Sequence, residues 1–250
     1  VLLSSTFAQS SPGKHQGFEY ARSGNPTRKA LEEVLANIED GEYACAFSSG
    51  LGATDSIIKL LSAGDHCVVA DDVYGGTFRI FDKTFSRFGI EFSWVDTTNP
   101  ANVQAAFKDN TKMLFLETPS NPLLKISDIA ALTKLARDKG IISVVDNTFA
   151  SPYLQRPLAL GADIVMHSCT KYLGGHSDVV MGAAVTRDQK LHEGISFNQN
   201  ASGAVPGGLA SYLVHRGIKT LRVRMEKACD HAEQTDRFLL DHPRVTKVCS

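Results

Sequence analysis

Met113-Leu114-Phe115-Leu116-Glu117 and Ile142-Ser143-Val144-Val145-Asp146, with the segment 127–140 between them, decide the fold of this chain. Both runs are apolar almost throughout, and the second closes on a carboxylate. Strands covered on two faces read this way, whereas a half-exposed strand alternates. Between them Ser127 and Asp128 start a helix, and Ile129, Leu132 and Ala136 form one apolar face. Arg137 and Lys139 fall in its last turn, and Gly140 supplies a left-handed stop. Strand, helix and strand in this order make a parallel crossover unit.

The same alternation extends in both directions. Further strands are expected at 44–47, 66–70, 91–95, 164–167 and 180–185, with helices around 54–61, 77–88 and 102–107. Short apolar runs alternating with helical periods imply a mostly parallel sheet with helices on both faces. After Val185 the pattern becomes mainly helical, over 208–214 and 220–240; Pro243 interrupts it, and 245–248 is expected to open a strand of another domain. Up to about Tyr20 there is little periodicity around Pro12, Gly13 and Gly17, so this part reads as an extended arm. The chain opens on Val1 and stops at Ser250 within that last expected strand, which makes it read as part of a longer polypeptide.

Composition narrows the class. With 43% hydrophobic and 21% charged residues, the 250-residue chain has the makeup of an ordinary globular protein with a substantial core. A formal net charge of −1 offers no bulk attraction to nucleic acid or to an anionic membrane, and no apolar run approaches the roughly 20 residues of a bilayer span. Five scattered cysteines, odd in number and without a C-x-x-C pair, fit a reducing cytoplasm better than a disulfide scaffold or zinc site.

Candidate chemistry gathers at the carboxyl ends of the expected strands, where open parallel sheets bind ligands. Lys171 lies in Ser168-Cys169-Thr170-Lys171-Tyr172, just past the strand at 164–167, and Asp146 ends its own strand. Pyridoxal phosphate needs this pair: an amine for its Schiff base and a carboxylate to keep the ring nitrogen protonated. Alone, either residue is ordinary. Together, with the hydroxyls of Ser168 and Thr170 suited to a phosphate, they favour the cofactor. Ser48-Ser49-Gly50-Leu51-Gly52 follows the first strand and precedes a helix, so its amides suit the same phosphate, although such turns are more often simple N-caps. Tyr74 follows the second strand and offers an aromatic face and a phenol; Asn121 suits the cofactor's ring oxygen. His167 and His176 lack partners at metal-ligand spacing, and Cys169 reads as a small packed side chain. Tyr20 and Arg22 sit on the irregular arm, where an arginine could make a bidentate phosphate contact on another subunit. No G-x-G-x-x-G follows the first strand, which disfavours a dinucleotide-binding oxidoreductase.

Read together, these segments resemble the Cys/Met-metabolism family of pyridoxal-phosphate enzymes, over essentially the whole chain. The resemblance is carried by Tyr20 to Arg28, Ser48-Ser49-Gly50, Asp72 to Thr77, Glu117 to Pro122, Val145 to Phe149 and Ser168 to Asp178. It implies the fold type I, aspartate-aminotransferase-like architecture, with a mostly parallel seven-stranded sheet flanked by helices. It further implies an arm at 1–22 reaching a neighbouring subunit, a cofactor-binding large domain at 23–222, and at 223–250 the start of a carboxyl-terminal domain. By resemblance Lys171 is the Schiff-base lysine, Asp146 pairs with the pyridine nitrogen and Tyr74 stacks on the ring. Ser49, Gly50, Leu51, Ser168 and Thr170 would hold the phosphate, Asn121 the ring oxygen, and Thr148 would pack beside the cofactor. Tyr20 and Arg22 would reach the neighbouring subunit's phosphate site in a cytoplasmic homotetramer built from tight dimers. One departure is Gly175, where relatives usually carry asparagine.

Within the family, methionine γ-lyases place a cysteine two residues after the stacking tyrosine, where this chain has Gly76. The resemblance therefore favours γ-elimination of cystathionine, giving cysteine, 2-oxobutanoate and ammonia. A cystathionine γ-synthase is the near alternative, a cystathionine β-lyase is further off, and an inactive scaffold relative is disfavoured by the presence of Lys171, Asp146 and Tyr74 together.

Overall fold

Residues 1–248 are described by the computed structural model. In the arm, β1 (Gln9–Ser11) and β2 (Lys14–His15) form a small exposed hairpin, and Thr6 bridges Tyr20. Next comes α1 (Pro26–Ile38), started by Asn25, whose side chain accepts the Thr27 and Arg28 amides. There follow β3 (Tyr43–Phe47), α2 (Gly50–Ile58), β4 (His66–Ala70), α3 (Gly75–Lys83), β5 (Glu91–Val95), α4 (Pro100–Ala106), β6 (Thr111–Glu117) and α5 (Ile129–Arg137). The large sheet is completed by β7 (Ile142–Asp146), the single turn α6 (Ser151–Leu154), β8 (Ile164–Ser168) and β9 (Gly182–Thr186). Beyond it lie α7 (Gln189–Ser202), α8 (Gly208–Ile218) and α9 (Leu221–Leu240).

The seven strands lie in the order β3-β9-β8-β7-β6-β4-β5. Pairings from β8 through β5 are parallel, and β9 runs antiparallel to both of its neighbours. The reason for the reversal is local: the 169–181 loop carries no crossover helix, and a chain that returns without one pairs antiparallel. Between β4 and β6 the strand order switches, since β5 lies to one side of β4 and the later strands to the other. Loops leaving such strand ends diverge and open a crevice.

Two apolar layers enclose the sheet. On one face Phe47, Val69, Phe115, Val144 and Met166 pack with Ile57 of α2, Phe81 of α3 and Ile195 of α7. On the other, Ala46, Val165 and Val185 meet Leu31 and Leu35 of α1, while Leu114, Leu116 and Val145 meet Ile129, Leu132 and Ala136 of α5. The polar exception in β4, His66, is fully buried and its ring nitrogens contact Thr111 Oγ1 of β6 at 2.8 Å and Ser93 Oγ of β5 at 2.9 Å. Both nitrogens are thus satisfied, which is the condition for burying a polar side chain.

The α5 expectation is matched closely: Asp128 caps it by accepting the Ala131 amide, and Gly140 takes a positive φ just beyond it. Two helices absent from the sequence reading, α1 and α7, carry legible signals in Asn25-Pro26 and in the Asp188 cap with Gly203 as its left-handed stop. The strand expected at 180–185 begins only at Gly182, because Val180 is exposed and Met181 is held by the Thr170 side chain. The strand expected at 245–248 is not formed: those residues are irregular, and a lone segment has no ladder partner to satisfy its backbone. The expected boundary at 222 falls inside α9, of which Leu221 and Met225 are the buried residues.

Candidate active site

Strand alternation delivers three polar side chains to one place. Phe115, Val144 and Met166 face the layer beneath α2 and α3; two residues further on, Glu117, Asp146 and Ser168 face the same side at the strand ends. These three line a cavity of about 250 Å³. The loop after β8 brings Thr170 and Lys171 to it, the start of α2 brings Ser49, Gly50 and Leu51, and the loop after β4 brings Tyr74. Asn121 and Thr148 also line it, so ten of the twelve expected residues, Lys171 and Asp146 among them, meet at this cavity. Tyr20 and Arg22 do not line the cavity: Arg22 Nη1 donates to the Asn200 carbonyl at 2.7 Å, and its guanidinium lies 5.5 Å from the Tyr20 ring centre.

Asp146 is buried, and burial pushes its carboxyl pKa up, opposed by hydrogen bonds from the Thr148 hydroxyl and amide to Oδ1 at 2.5 and 3.0 Å. Thr148 does more than pack, since its hydroxyl also accepts the Ser168 amide at 2.8 Å and so ties the ends of β7 and β8 together. The Thr170 hydroxyl, expected to meet a phosphate, is engaged with the Met181 backbone, donating to its carbonyl at 3.2 Å and accepting its amide at 3.1 Å. Ser49 Oγ accepts the Gly52 amide at 3.0 Å and caps α2. The first amides of α2 lack intrahelical partners, as at every helix start, and the helix dipole adds positive potential there. Lys171 also borders a wider depression of about 770 Å³, next to Arg224.

The Tyr74 ring lies against Gly76: a Cβ there would stand 2.3 Å from Tyr74 Cε1. Gly175 adopts φ +74°, a conformation that asparagine tolerates better than other side chains, which accounts for the departure noted in the sequence. Cys169 is fully buried and burial pushes its thiol pKa up, the reverse of a reactive nucleophile. His167 contacts Glu39 Oε1 at 2.5 Å in a fully buried pair on the opposite face of the sheet.

Sequence reasoning passed over Glu117, Thr77, Phe149, Met166 and Val180, which also line the cavity. For Glu117 a signal existed, because it follows Met113 and Phe115 at period two exactly as Asp146 follows Val144. Glu117 Oε2 accepts the Tyr74 amide at 2.8 Å, and Thr77 Oγ1 is buried without a partner among the described residues.

Comparison with known proteins agrees with this geometry. The profile of the family described as Cys/Met metabolism PLP-dependent enzyme matches residues 1–249. The "Probable cystathionine gamma-synthase" of Herpetosiphon aurantiacus is 52% identical over 248 residues, covering 99% of this chain and 78% of the relative. The "Cystathionine beta-lyase" of Coxiella burnetii is 51% identical over 250 residues, 99% of this chain and 65% of the relative. A crystal structure of cystathionine gamma-lyase from Lactobacillus plantarum complexed with L-serine superposes with a TM-score of 0.97 at 49% identity, covering 99% of this chain and 65% of that one. The chain thus spans just under two thirds of the length of the latter two. With the profile matched from end to end and the fold shared, the chain belongs to the Cys/Met metabolism family of pyridoxal-phosphate-dependent enzymes.

Proposed function

We propose that this cavity binds pyridoxal phosphate and that the full-length protein uses it to cleave the Cγ–S bond of cystathionine, releasing cysteine, 2-oxobutanoate and ammonia. The observation that carries the reading is the convergence of Lys171, Asp146, Tyr74 and the start of α2 on one cavity. The donor set suits the cofactor: free amides of α2 and the Ser168 hydroxyl for a phosphate, a buried carboxylate for a ring nitrogen, and the orphaned Thr77 hydroxyl within reach of a polar guest. Lys171 would hold the cofactor covalently, and Asn121 its ring oxygen.

When bound, the cofactor supplies an electron sink for the pair left at the substrate Cα. Lys171 Nζ would take the Cα proton and, once it has passed that proton on, a second one from Cβ, whose electron pair expels the Cγ sulfur. Asp146 Oδ1, fixed by the two Thr148 hydrogen bonds, holds negative charge against the protonated ring nitrogen. The Tyr74 phenol or Lys171 Nζ gives the proton that the departing sulfur needs. The Tyr74 ring lies against Gly76, and the absence there of the cysteine expected of methionine γ-lyases disfavours the methionine-cleaving pattern.

A second reading, γ-replacement on an O-acyl-homoserine, is favoured by the Herpetosiphon relative, whose name is a probable γ-synthase and whose length this chain covers to 78%. The two are separated by assaying the full-length protein for 2-oxobutanoate from cystathionine and for cystathionine from cysteine plus the ester. Dominant 2-oxobutanoate is expected. Dominant ester-dependent synthesis would replace the lyase reading with the synthase, and pyruvate from cystathionine would move the broken bond to Cβ. Borohydride reduction should fix the cofactor on the peptide holding Lys171; a label on another lysine removes the site assignment.

A further inference from the structure

Glu117 and Asp146 are direct partners in the β6–β7 register, with Phe115 opposite Val144 two residues before them. Parallel neighbours stand about 4.8 Å apart with side chains on the same side. Two carboxyl groups therefore share the floor of one largely buried cavity, with Glu117 only 6% exposed and Asp146 likewise 6%. Like charges so placed do not both ionise near neutrality, and the proton goes to the group whose anion is less well solvated by the protein.

The hydrogen bonds separate the two. Burial raises the pKa of Asp146 as well, but its Oδ1 accepts both the amide and the hydroxyl of Thr148, and these bonds and the buried His167 on β8 oppose the rise. Glu117 accepts the Tyr74 amide, with the Asn121 amide as a second backbone donor but no hydroxyl, and its pKa is pushed up to about 9 by burial first and then by the charges of Asp146 and Asp72. Around Glu117 the titratable neighbours are Asp72 after β4, Tyr74 at the start of α3, Asp146 on β7 and Lys171 after β8. Asp72 is itself held by the Leu123 amide at 3.0 Å and by the Ser120 hydroxyl.

We propose that Glu117 is a positioning residue of the cofactor site, a carboxylic acid that keeps its proton, fixes the Tyr74 backbone through Oε2 and leaves the negative charge of the carboxyl pair on Asp146. This rests on the cofactor reading above for its purpose but not for its protonation state. A charged Glu117 would compete with Asp146 for a cationic ring, whereas a neutral one confines that attraction to a single carboxylate. The same neutral acid still offers an acceptor oxygen to the Tyr74 amide, so the aromatic ring is placed without a second charge.

The test uses the full-length holoenzyme. Infrared spectroscopy at neutral pH should show the C=O stretch of a protonated, buried carboxyl, lost in wild type as pH rises through about 9 and absent from Glu117→Gln at every pH. Persistence of that band in Glu117→Gln overturns the assignment. A raised carboxyl pKa means that the folded state binds the extra proton, so stability falls as pH climbs from about 4.5 to about 9. The melting temperature of Glu117→Gln should therefore gain on wild type across that window and stop gaining above it; a constant gap overturns the proposal. For positioning, the visible circular dichroism of the bound cofactor should be kept in Glu117→Gln, which preserves the acceptor, and reduced in Glu117→Leu, which removes it. Equal loss in both variants overturns the positioning role. If Lys171 fails to label with borohydride the cofactor reading falls, while the infrared band in wild type and Glu117→Gln still decides the proton.

Discussion

At the scale of single residues, the site depends on where a few carboxylates hold their charge and on which hydroxyls are already engaged. Burial raises the pKa of Asp146 against the opposing Thr148 hydrogen bonds, so its charged form gains stability from a cation placed beside it. Asp146→Asn should keep part of the cofactor but lose most turnover, because an amide cannot hold a proton on the ring nitrogen. Near-normal turnover would show that the carboxylate is structural. Thr148 spends its hydroxyl on Asp146 and Ser168, and Thr170 spends its hydroxyl on Met181, so Ser168 is the hydroxyl of the β8 loop left to meet a phosphate. A Ser168→Ala variant should accordingly lose more cofactor affinity than Thr170→Ser, measured by cofactor titration of the apoenzyme; the opposite order would reassign the phosphate contact.

At the scale of elements, the parallel strands act as rails. Their alternation carries Glu117, Asp146 and Ser168 to one side, and the switch between β4 and β6 opens the crevice into which they project. The crossover helices hold those rails in register, and α5 shows how. Asp128 caps it from outside the cavity, so Asp128→Ala should cost about 1 kcal/mol without touching the chemistry. Calorimetry on a protein of this size should read that as a fall of about 2–4 °C in melting temperature. An unchanged melting temperature would mean that the cap is redundant with the packing of Ile129, Leu132 and Ala136.

At the scale of the whole molecule, the arm is the part whose expected site residues, Tyr20 and Arg22, stay clear of the cavity of their own chain. It is tied to α1 through Asn25 Nδ2 to the Leu2 carbonyl at 3.0 Å, and Arg22 is tied to α7 through Asn200. Neither Tyr20 nor Arg22 reaches the cavity of its own chain, which supports the proposal that they serve a neighbouring subunit's site. Mixing inactive Lys171→Ala protein with inactive Arg22→Ala protein should then restore part of the activity, since one site of each hybrid regains both residues. No recovery despite proven subunit exchange would return the arm to its own subunit.

The strands, their parallel sense and the polar residues at their ends were determined by sequence, because apolar runs buried on both faces and carboxylates closing them are local patterns. So were the caps of α5, and α1 and α7 carried caps of the same kind that went unread. The strand proposed at 245–248 failed for the opposite reason: its apolar pattern is local, but a strand exists only with a partner to bond. The antiparallel turn of β9, the capture of the Thr170 hydroxyl by Met181 and the pairing of Glu117 with Asp146 were decided by tertiary structure alone. Each depends on which strands become neighbours and in what register, and residues 29 positions apart in the chain act on each other's charge only when the sheet sets them side by side.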